Sequence, residues 1–173
     1  QESISFLRKG DSMAVSKIKE VVGRKVRVAD SKCPAGGVRC EVDVRDGHTI
    51  VTDEPTERGG TDTATSPLMY FTTALGTCQT VQIIKVAEAM RFKHGAINIH
   101  TETTTDLIDG IDGNNNGVMH FVGATLHIKI ETNENAAKLE RLAALSEDRC
   151  PVGRLFADAG FEPKCIWTAI PLP

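Results

Sequence analysis

The chain has 173 residues, of which 40% are hydrophobic, and its 20 basic and 23 acidic side chains give a formal net charge of −3. No run of basic residues indicates a nucleic-acid partner, and the longest apolar runs are too short and too often interrupted by polar residues to cross a membrane. We therefore expect one soluble domain over residues 1–173, with an extension of uncertain role at 1–20.

The first third of the chain has the pattern of short strands. Strands are predicted at about 25–29, 38–44 and 48–52, and the dipeptide Asp46-Gly47 is typical of a tight hairpin between the last two. The polar, glycine-containing stretch that follows, up to Ser66, predicts a loop.

A long helix is predicted over 67–90, since Ser66 suits the N-cap and Pro67 suits the first helical position. Apolar spacing places Cys78 on a stripe that should face inward. That stripe comprises Leu68, Phe71, Leu75, Cys78, Gln82, Val86 and Ala89. Further apolar residues widen the surface, which predicts a second covering element such as a partner subunit. Gly76 predicts the close approach of another element, because glycine within a helix is otherwise costly.

The second half of the chain predicts two strands, two helices and a final strand. The first strand begins at Ile97 and the second spans about 121–131, with a turn at 109–117 between them. A helix follows with Asn133 as its cap, then a short helix over 151–159, and then a strand that carries Cys165. Strands and helices in this order predict the α+β class.

The sequence predicts neither a metal site nor a cofactor. The pattern Asp112-x-Asn114-x-Asn116-Gly117 matches the first half of a calcium loop, but Gly123 stands where the bidentate carboxylate belongs. The five histidines lack the short spacings that are typical of zinc ligands.

Five cysteines and no CxxC pair predict reduced thiols, and we expect the cytoplasm as the compartment. Cys33 and Cys40 can meet across a short loop or be inert, and Cys165 has the pattern of a structural strand residue. Cys150 directly precedes Pro151 at the start of the short helix. Unpaired N–H groups and the helix dipole there favour a thiolate, which predicts a lowered pKa for Cys150.

Three motifs in this order resemble the OsmC/Ohr family of osmotically induced and organic hydroperoxide resistance proteins. They are TDEPTERGGTDTATSP, the helical ALGTC at 74–78, and RCPVG at 149–153. The resemblance implies an intertwined α+β homodimer in which antiparallel sheets wrap around long central helices.

The resemblance also implies a thiol-dependent peroxidase that acts on organic hydroperoxides in stress defence. Cys78 would attack the peroxide, Cys150 would resolve the product, and an external dithiol, such as a lipoyl protein, would reduce the enzyme. An arginine would hold the thiolate. Arg39 is the candidate, with Arg24, Arg27 and Arg58 as alternatives.

The sequence differs from the family's peroxidases at Leu68, where they carry a glutamate. This difference favours an alternative function, in which a noncatalytic or redox-sensing protein of the same fold binds a small apolar ligand at the dimer interface. The presence of both cysteines, Cys78 and Cys150, favours the peroxidase.

Overall fold

The computed structural model describes residues 25–44, 47–108 and 117–173. The helices and strands, in chain order, are β1 (Ala29–Lys32), β2 (Cys40–Val44), β3 (His48–Thr52), α1 (Pro67–Met90), β4 (Ile97–Ile108), β5 (Val118–Glu131), α2 (Ala136–Asp148), α3 (Pro151–Asp158) and β6 (Lys164–Ile170), with a short 3-10 helix at Thr56–Arg58. The predicted N-terminal extension, Arg24, Asp46 and the half calcium motif at 112–116 lie outside the described residues.

The first sheet has the order β1-β2-β3, and both of its strand pairs are antiparallel. The prediction for β3 is confirmed, and β2 begins two residues later than expected. The prediction for β1 was wrong, because the strand begins at Ala29, where it was expected to end. Val26 and Val28, which precede the strand, have exposed side chains.

The second sheet has the order β4-β5-β6 and contains both strand directions. β4 and β5 form the predicted antiparallel pair, whereas β6 runs parallel to β5, with Thr125 opposite Lys164. The expectation of antiparallel sheets is therefore wrong for this one pair. A parallel pair requires a long crossover connection, and α2 and α3 together supply it. The α+β class is confirmed.

Local signals position α1 as predicted. The helix spans Pro67–Met90, and the Ser66 side chain accepts a hydrogen bond from the backbone N–H of Met69 at 3.4 Å. The second helix is capped by Asn135 and not by Asn133, whose side chain instead accepts a hydrogen bond from the N–H of Leu172.

The face of α1 that is buried differs from the predicted stripe. Its buried residues are Thr72, Leu75, Gly76, Gln79, Ile83, Val86 and Ala87, so only Leu75 and Val86 are common to both sets. Polar residues are buried there because they have partners: Thr72 Oγ1 lies 2.7 Å from Thr103 Oγ1, and Gln79 donates to Ser146 Oγ at 3.2 Å. Cys78 lies at the border of this face and is half-buried.

The hydrophobic core lies between α1 and the second sheet. Its fully buried side chains include Ile83 of α1 and Leu126, Ile128 and Ile130 of β5, with Leu142 of α2. These β5 residues alternate along the strand, because side chains two apart share one face of a sheet. The core therefore fixes α1 over the second sheet, with α2 and α3 beside it.

Within the described residues, no helix combines the length and the apolar character that crossing a membrane requires.

Candidate active site

Cys150 occupies the N-cap of α3, as predicted. Its Sγ accepts a hydrogen bond from the backbone N–H of Gly153 at 3.4 Å, and Pro151 occupies the first turn. The short connection from α2, which ends at Asp148, forces the chain to turn here, and a thiol acceptor satisfies one of the free N–H groups of the new helix. The side chain is fully buried.

The electrostatic consequence of this position is the opposite of the prediction. Burial raises the pKa of the Cys150 thiol to about 11, although the N–H of Gly153 acts to lower it. A thiolate in an apolar interior loses its hydration, and the backbone N–H groups of Gly153 and Val152 at the start of a short helix do not replace it. The predicted low pKa for Cys150 was therefore wrong, because the sequence shows the cap and does not show the burial.

The thiols of Cys78 and Cys150 lie next to each other. Cys78 contributes to the raised pKa of Cys150 both by its charge and by a side-chain hydrogen bond. This proximity follows from the packing of α3 against α1, since each helix carries one of the two residues. The structure thus brings together two residues that are far apart in the chain.

Arg39 lies in the segment between β1 and β2. Its Nη1 donates to Glu41 Oε1 at 3.0 Å. Arg58 pairs with Glu54 at 3.7 Å, and Arg154, near Cys150, pairs with Asp158 at 3.3 Å. Among the described residues of the single chain, no arginine hydrogen-bonds to either sulfur. The role expected of Arg39 therefore stays a prediction.

A buried carboxylate, missed in the sequence, organises the loop before α1. Asp53 is fully buried, and its oxygens accept hydrogen bonds from the backbone N–H groups of Glu54, Thr61 and Thr63 and from both threonine hydroxyls. The Thr61 hydroxyl is the largest of the contributions that hold the pKa of Asp53 far below its usual range. The alternation Thr61-Asp62-Thr63 after a glycine pair is the signal that could have indicated this arrangement.

An aromatic cavity adjoins α3. Phe156 stacks on Phe71 at 5.2 Å between ring centroids and meets Phe121 and Phe161 edge-on at 5.8 and 5.3 Å. The cavity beside them has a volume of about 280 Å³, and its walls are Phe71, His120, Phe121, Leu155, Phe156, Ala159 and Phe161. Its lining is suited to a small apolar molecule. Of these residues, only Phe71 belongs to the helical stripe predicted from the sequence.

Cys165 lies on β6, close enough to Cys150 for that residue to contribute to its electrostatics. Burial raises the pKa of Cys165 to about 12, and the nearby carboxylate of Glu147 adds to the shift. Glu147 Oε1 in turn accepts a hydrogen bond from Trp167 Nε1 at 2.7 Å. A thiol that is this strongly biased toward its neutral form fits the structural role expected of it.

In the part of the chain that the structure describes, no three histidine, cysteine, aspartate or glutamate side chains are grouped closely enough to hold a metal ion. His100 and His127 face each other across β4 and β5 with ring centroids 6.0 Å apart, and His100 also contacts Glu102.

The fold is shared with solved structures of low sequence identity. An organic hydroperoxide resistance protein OsmC from Legionella pneumophila superposes with a TM-score of 0.64 at 21% identity, over 83% of this chain and 97% of that one. An OsmC-like protein from Mycoplasma pneumoniae gives 0.69 at 15% identity, over 84% and 98%. The organic hydroperoxide resistance protein OhrB of Bacillus subtilis gives 0.55 at 16% identity, over 83% and 98%.

No curated protein matches the sequence. The family model described as OsmC-like protein matches residues 60–162, a range that contains α1, β4, β5, α2 and α3 and therefore both Cys78 and Cys150. Together with the shared fold, this match shows that the chain belongs to the OsmC-like protein family.

Proposed function

We propose that this protein is a thiol-dependent peroxidase that reduces organic hydroperoxides with Cys78 and Cys150 in stress defence. The observation that carries the proposal is that the side chains of Cys78, on α1, and Cys150, at the start of α3, lie close together. Two of the three solved structures named above are organic hydroperoxide resistance proteins, which supports the same chemistry.

The burial of the two thiols supports Cys78 as the attacking residue. Cys78 is half-buried, whereas Cys150 is fully buried with a pKa of about 11. A peroxide reaches a partly exposed thiol more readily, and the thiolate is the reactive form. Cys150 needs to react only with a neighbouring sulfur, which is the task of a resolving thiol.

The proposed reaction has three balanced steps. The Cys78 thiolate attacks the O–O bond, so that one oxygen forms a sulfenic acid on sulfur and the other leaves as an alkoxide, which takes up a proton to give the alcohol. The Cys150 thiol loses its proton and attacks the Cys78 sulfur, which forms a disulfide and releases water. An external dithiol, such as a lipoyl protein, then reduces the disulfide by exchange and becomes a disulfide itself.

The aromatic cavity supports the preference for organic peroxides. Its phenylalanine rings belong to α1, β5 and α3, and two of these elements carry the proposed catalytic thiols. An alkyl or aryl group gains free energy from leaving water for such a lining, whereas hydrogen peroxide has no apolar group to bury.

A homodimer in the cytoplasm is part of the proposal. Large apolar side chains are exposed on α1, at Met69, Val81 and Ile84, and near the ends of β4 and β5, at Leu107 and Met119. Exposed apolar side chains on several elements support a dimer interface in which a second copy of the chain buries them. A partner subunit would also be the source of a cation near Cys78, in the role expected of Arg39. Five free cysteines are consistent with a reducing compartment.

The peroxidase is tested with reduced protein, cumene hydroperoxide and hydrogen peroxide. Thiol loss should be faster with cumene hydroperoxide, and trypsin should release a disulfide-linked pair made of residues 59–85 and 150–154. Cys150→Ser should accumulate a sulfenic acid on Cys78 that dimedone traps, and Cys78→Ser should lose peroxide consumption. Cys165→Ser is the matched control and should still consume peroxide. Unreactive thiols in the wild type would refute the peroxidase.

A second candidate is a noncatalytic protein that binds a small apolar ligand. Leu68 in place of the family's glutamate and the raised pKa of Cys150 favour it, together with the aromatic cavity. Under this function, an apolar fluorescent probe should bind, Phe156→Ala should weaken its binding, and neither cysteine should react with peroxides.

A further inference from the structure

Cys33 and Cys40 are placed opposite each other at the open end of the β1–β2 pair. The register runs from Ala29 opposite Val44 to Lys32 opposite Glu41, so the next position along each chain brings residue 33 opposite residue 40. Residues that are directly opposite in a sheet project to the same face. The two cysteines therefore share one face, at the point where the chain leaves β1 and enters β2.

Both thiols are turned toward the segment that connects the strands. Cys33 Sγ donates to the carbonyl oxygen of Gly37 at 3.2 Å, and Cys40 Sγ donates to that of Val38 at 3.6 Å. Gly36 has a positive φ of 81°, which permits the tight return of the chain. Cys33 is exposed and Cys40 is half-buried, so solvent reaches the pair.

The two thiol groups also lie close to each other. A side-chain hydrogen bond with Cys40 is the main reason that the pKa of Cys33 is raised. The separation of α-carbons in directly opposed strand residues is about 4.5–5.5 Å, and disulfides span about 4.4–6.8 Å. Continuation of the β1–β2 register to residues 33 and 40 would therefore give the backbone the spacing that a disulfide requires.

We propose that Cys33 and Cys40 form a second redox dithiol, separate from Cys78 and Cys150, which closes to a cross-strand disulfide by exchange with a low-molecular-weight disulfide. One cysteine thiolate attacks a sulfur of the small disulfide, forms a mixed disulfide and releases one thiolate. The other cysteine thiolate then attacks the protein sulfur of that mixed disulfide and releases the second. The protein loses two electrons and two protons, and the small disulfide becomes two thiols.

The disulfide would close a ring from residue 33 to residue 40 that contains Arg39. A covalent link at the base of this segment removes conformations that the open dithiol allows. The oxidation state of the pair therefore sets how tightly the backbone on either side of Arg39 is held.

Trypsin gives a direct test, because it cleaves after Lys32, Arg39 and Arg45 and so separates the two cysteines. The full-length Cys78→Ser/Cys150→Ser protein is equilibrated with oxidised and reduced glutathione, alkylated and digested. We expect peptides 33–39 and 40–45 to appear as one disulfide-linked species, with the loss of both free thiols. Mixed disulfides with glutathione on both cysteines, or two free thiols in a buffer that oxidises a reference dithiol, would overturn the proposal.

A register control uses the same number of thiols. In Lys32→Cys/Cys33→Ser, the thiol moves by one residue and therefore projects from the opposite face of β1. This variant should give mixed disulfides and no linked peptides, and equal linkage would show that flexibility and not register joins the pair. The exchange requires no peroxide and neither catalytic thiol, so its outcome is independent of the proposed peroxidase.

Discussion

Gly76 of α1 packs directly against Thr101 of β4, so that a Cβ atom built at position 76 would overlap the Thr101 hydroxyl. The hydrogen atom of glycine lets the helix lie this close to the second sheet. The close approach that Gly76 indicated in the sequence is confirmed, and it has a measurable consequence for stability.

Gly76→Ala should destabilise the protein. Overpacking typically costs about 1–3 kcal/mol, which exceeds the gain of about 1 kcal/mol in helix propensity. Gly153→Ala is the matched control, because its Cβ would meet only Cys150 atoms at 3.4 and 3.5 Å, an ordinary contact. Urea unfolding should give a lower midpoint for Gly76→Ala and an unchanged or higher one for Gly153→Ala. Equal midpoints would contradict the packing argument.

Asp53→Asn should remove a stabilising contribution that depends on pH. The folded state holds the pKa of Asp53 below its unfolded value, which is about 3.9. The contribution is therefore complete above that pH and is lost as the pH falls toward the folded value. Thermal unfolding between neutral and acid pH should show a lower Tm for the variant at neutral pH and a shallower decline in acid.

The control for Asp53 is Asp43→Asn, on an exposed carboxylate that pairs with Lys32 on the surface. Surface pairs contribute little, so this variant should follow the wild-type profile. If both variants behave alike, the hydrogen-bonded cluster around Asp53 does not stabilise the loop.

Alkylation of Cys150 should have an unusual pH profile. Because its pKa is about 11, the rate of reaction with iodoacetamide should still rise well above the pKa of an ordinary thiol, which is about 8.5. Peptide mass analysis can follow residues 150–154. In urea, the alkylation rate of Cys150 should stop rising near the pKa of an ordinary thiol. A rate that stops rising at that pH in the native protein would contradict the effect of burial.

Glu147→Gln should increase the reactivity of Cys165. Burial is the larger cause of the raised pKa of Cys165, and the Glu147 carboxylate is the next. Removing that charge should lower the pKa and accelerate alkylation several-fold at a fixed pH, while burial keeps the thiol slower than a free one. Glu162→Gln is the matched control, since its carboxylate contributes less. Equal acceleration in both variants would refute the assignment to Glu147.

The sequence predicted elements where local chemistry decides them. Ser66-Pro67 located the start of α1, and Cys150-Pro151 located the start of α3. It failed where tertiary contacts decide. The buried face of α1 was misassigned because apolar residues cover several sides of the helix, and because the hydrogen-bonded Gln79 is buried.

The electrostatics of the candidate site were not predicted, whereas the roles of Cys78 and Cys150 as a redox pair stay a prediction. The resemblance paired Cys78 with Cys150, and the structure places their thiols together. The pKa of Cys150 depends on burial by residues that are distant in sequence, and the hydrogen bonds of Asp53 depend on the fold of the following loop. Neither property can be obtained from spacing alone.

Phe156 lines the aromatic cavity and belongs to α3, the helix that Cys150 caps. Phe156 packs against both Phe71 and Phe121, which also pack against each other, and Cys150 caps the start of the same eight-residue helix. A molecule that fills the cavity would favour the docked position of this helix over an undocked one, and so the proximity of the two thiols. By thermodynamic reciprocity, a bond between the thiols would then strengthen the binding of that molecule. Under the proposed function, occupancy of the cavity and oxidation of the cysteines would in this way be linked equilibria.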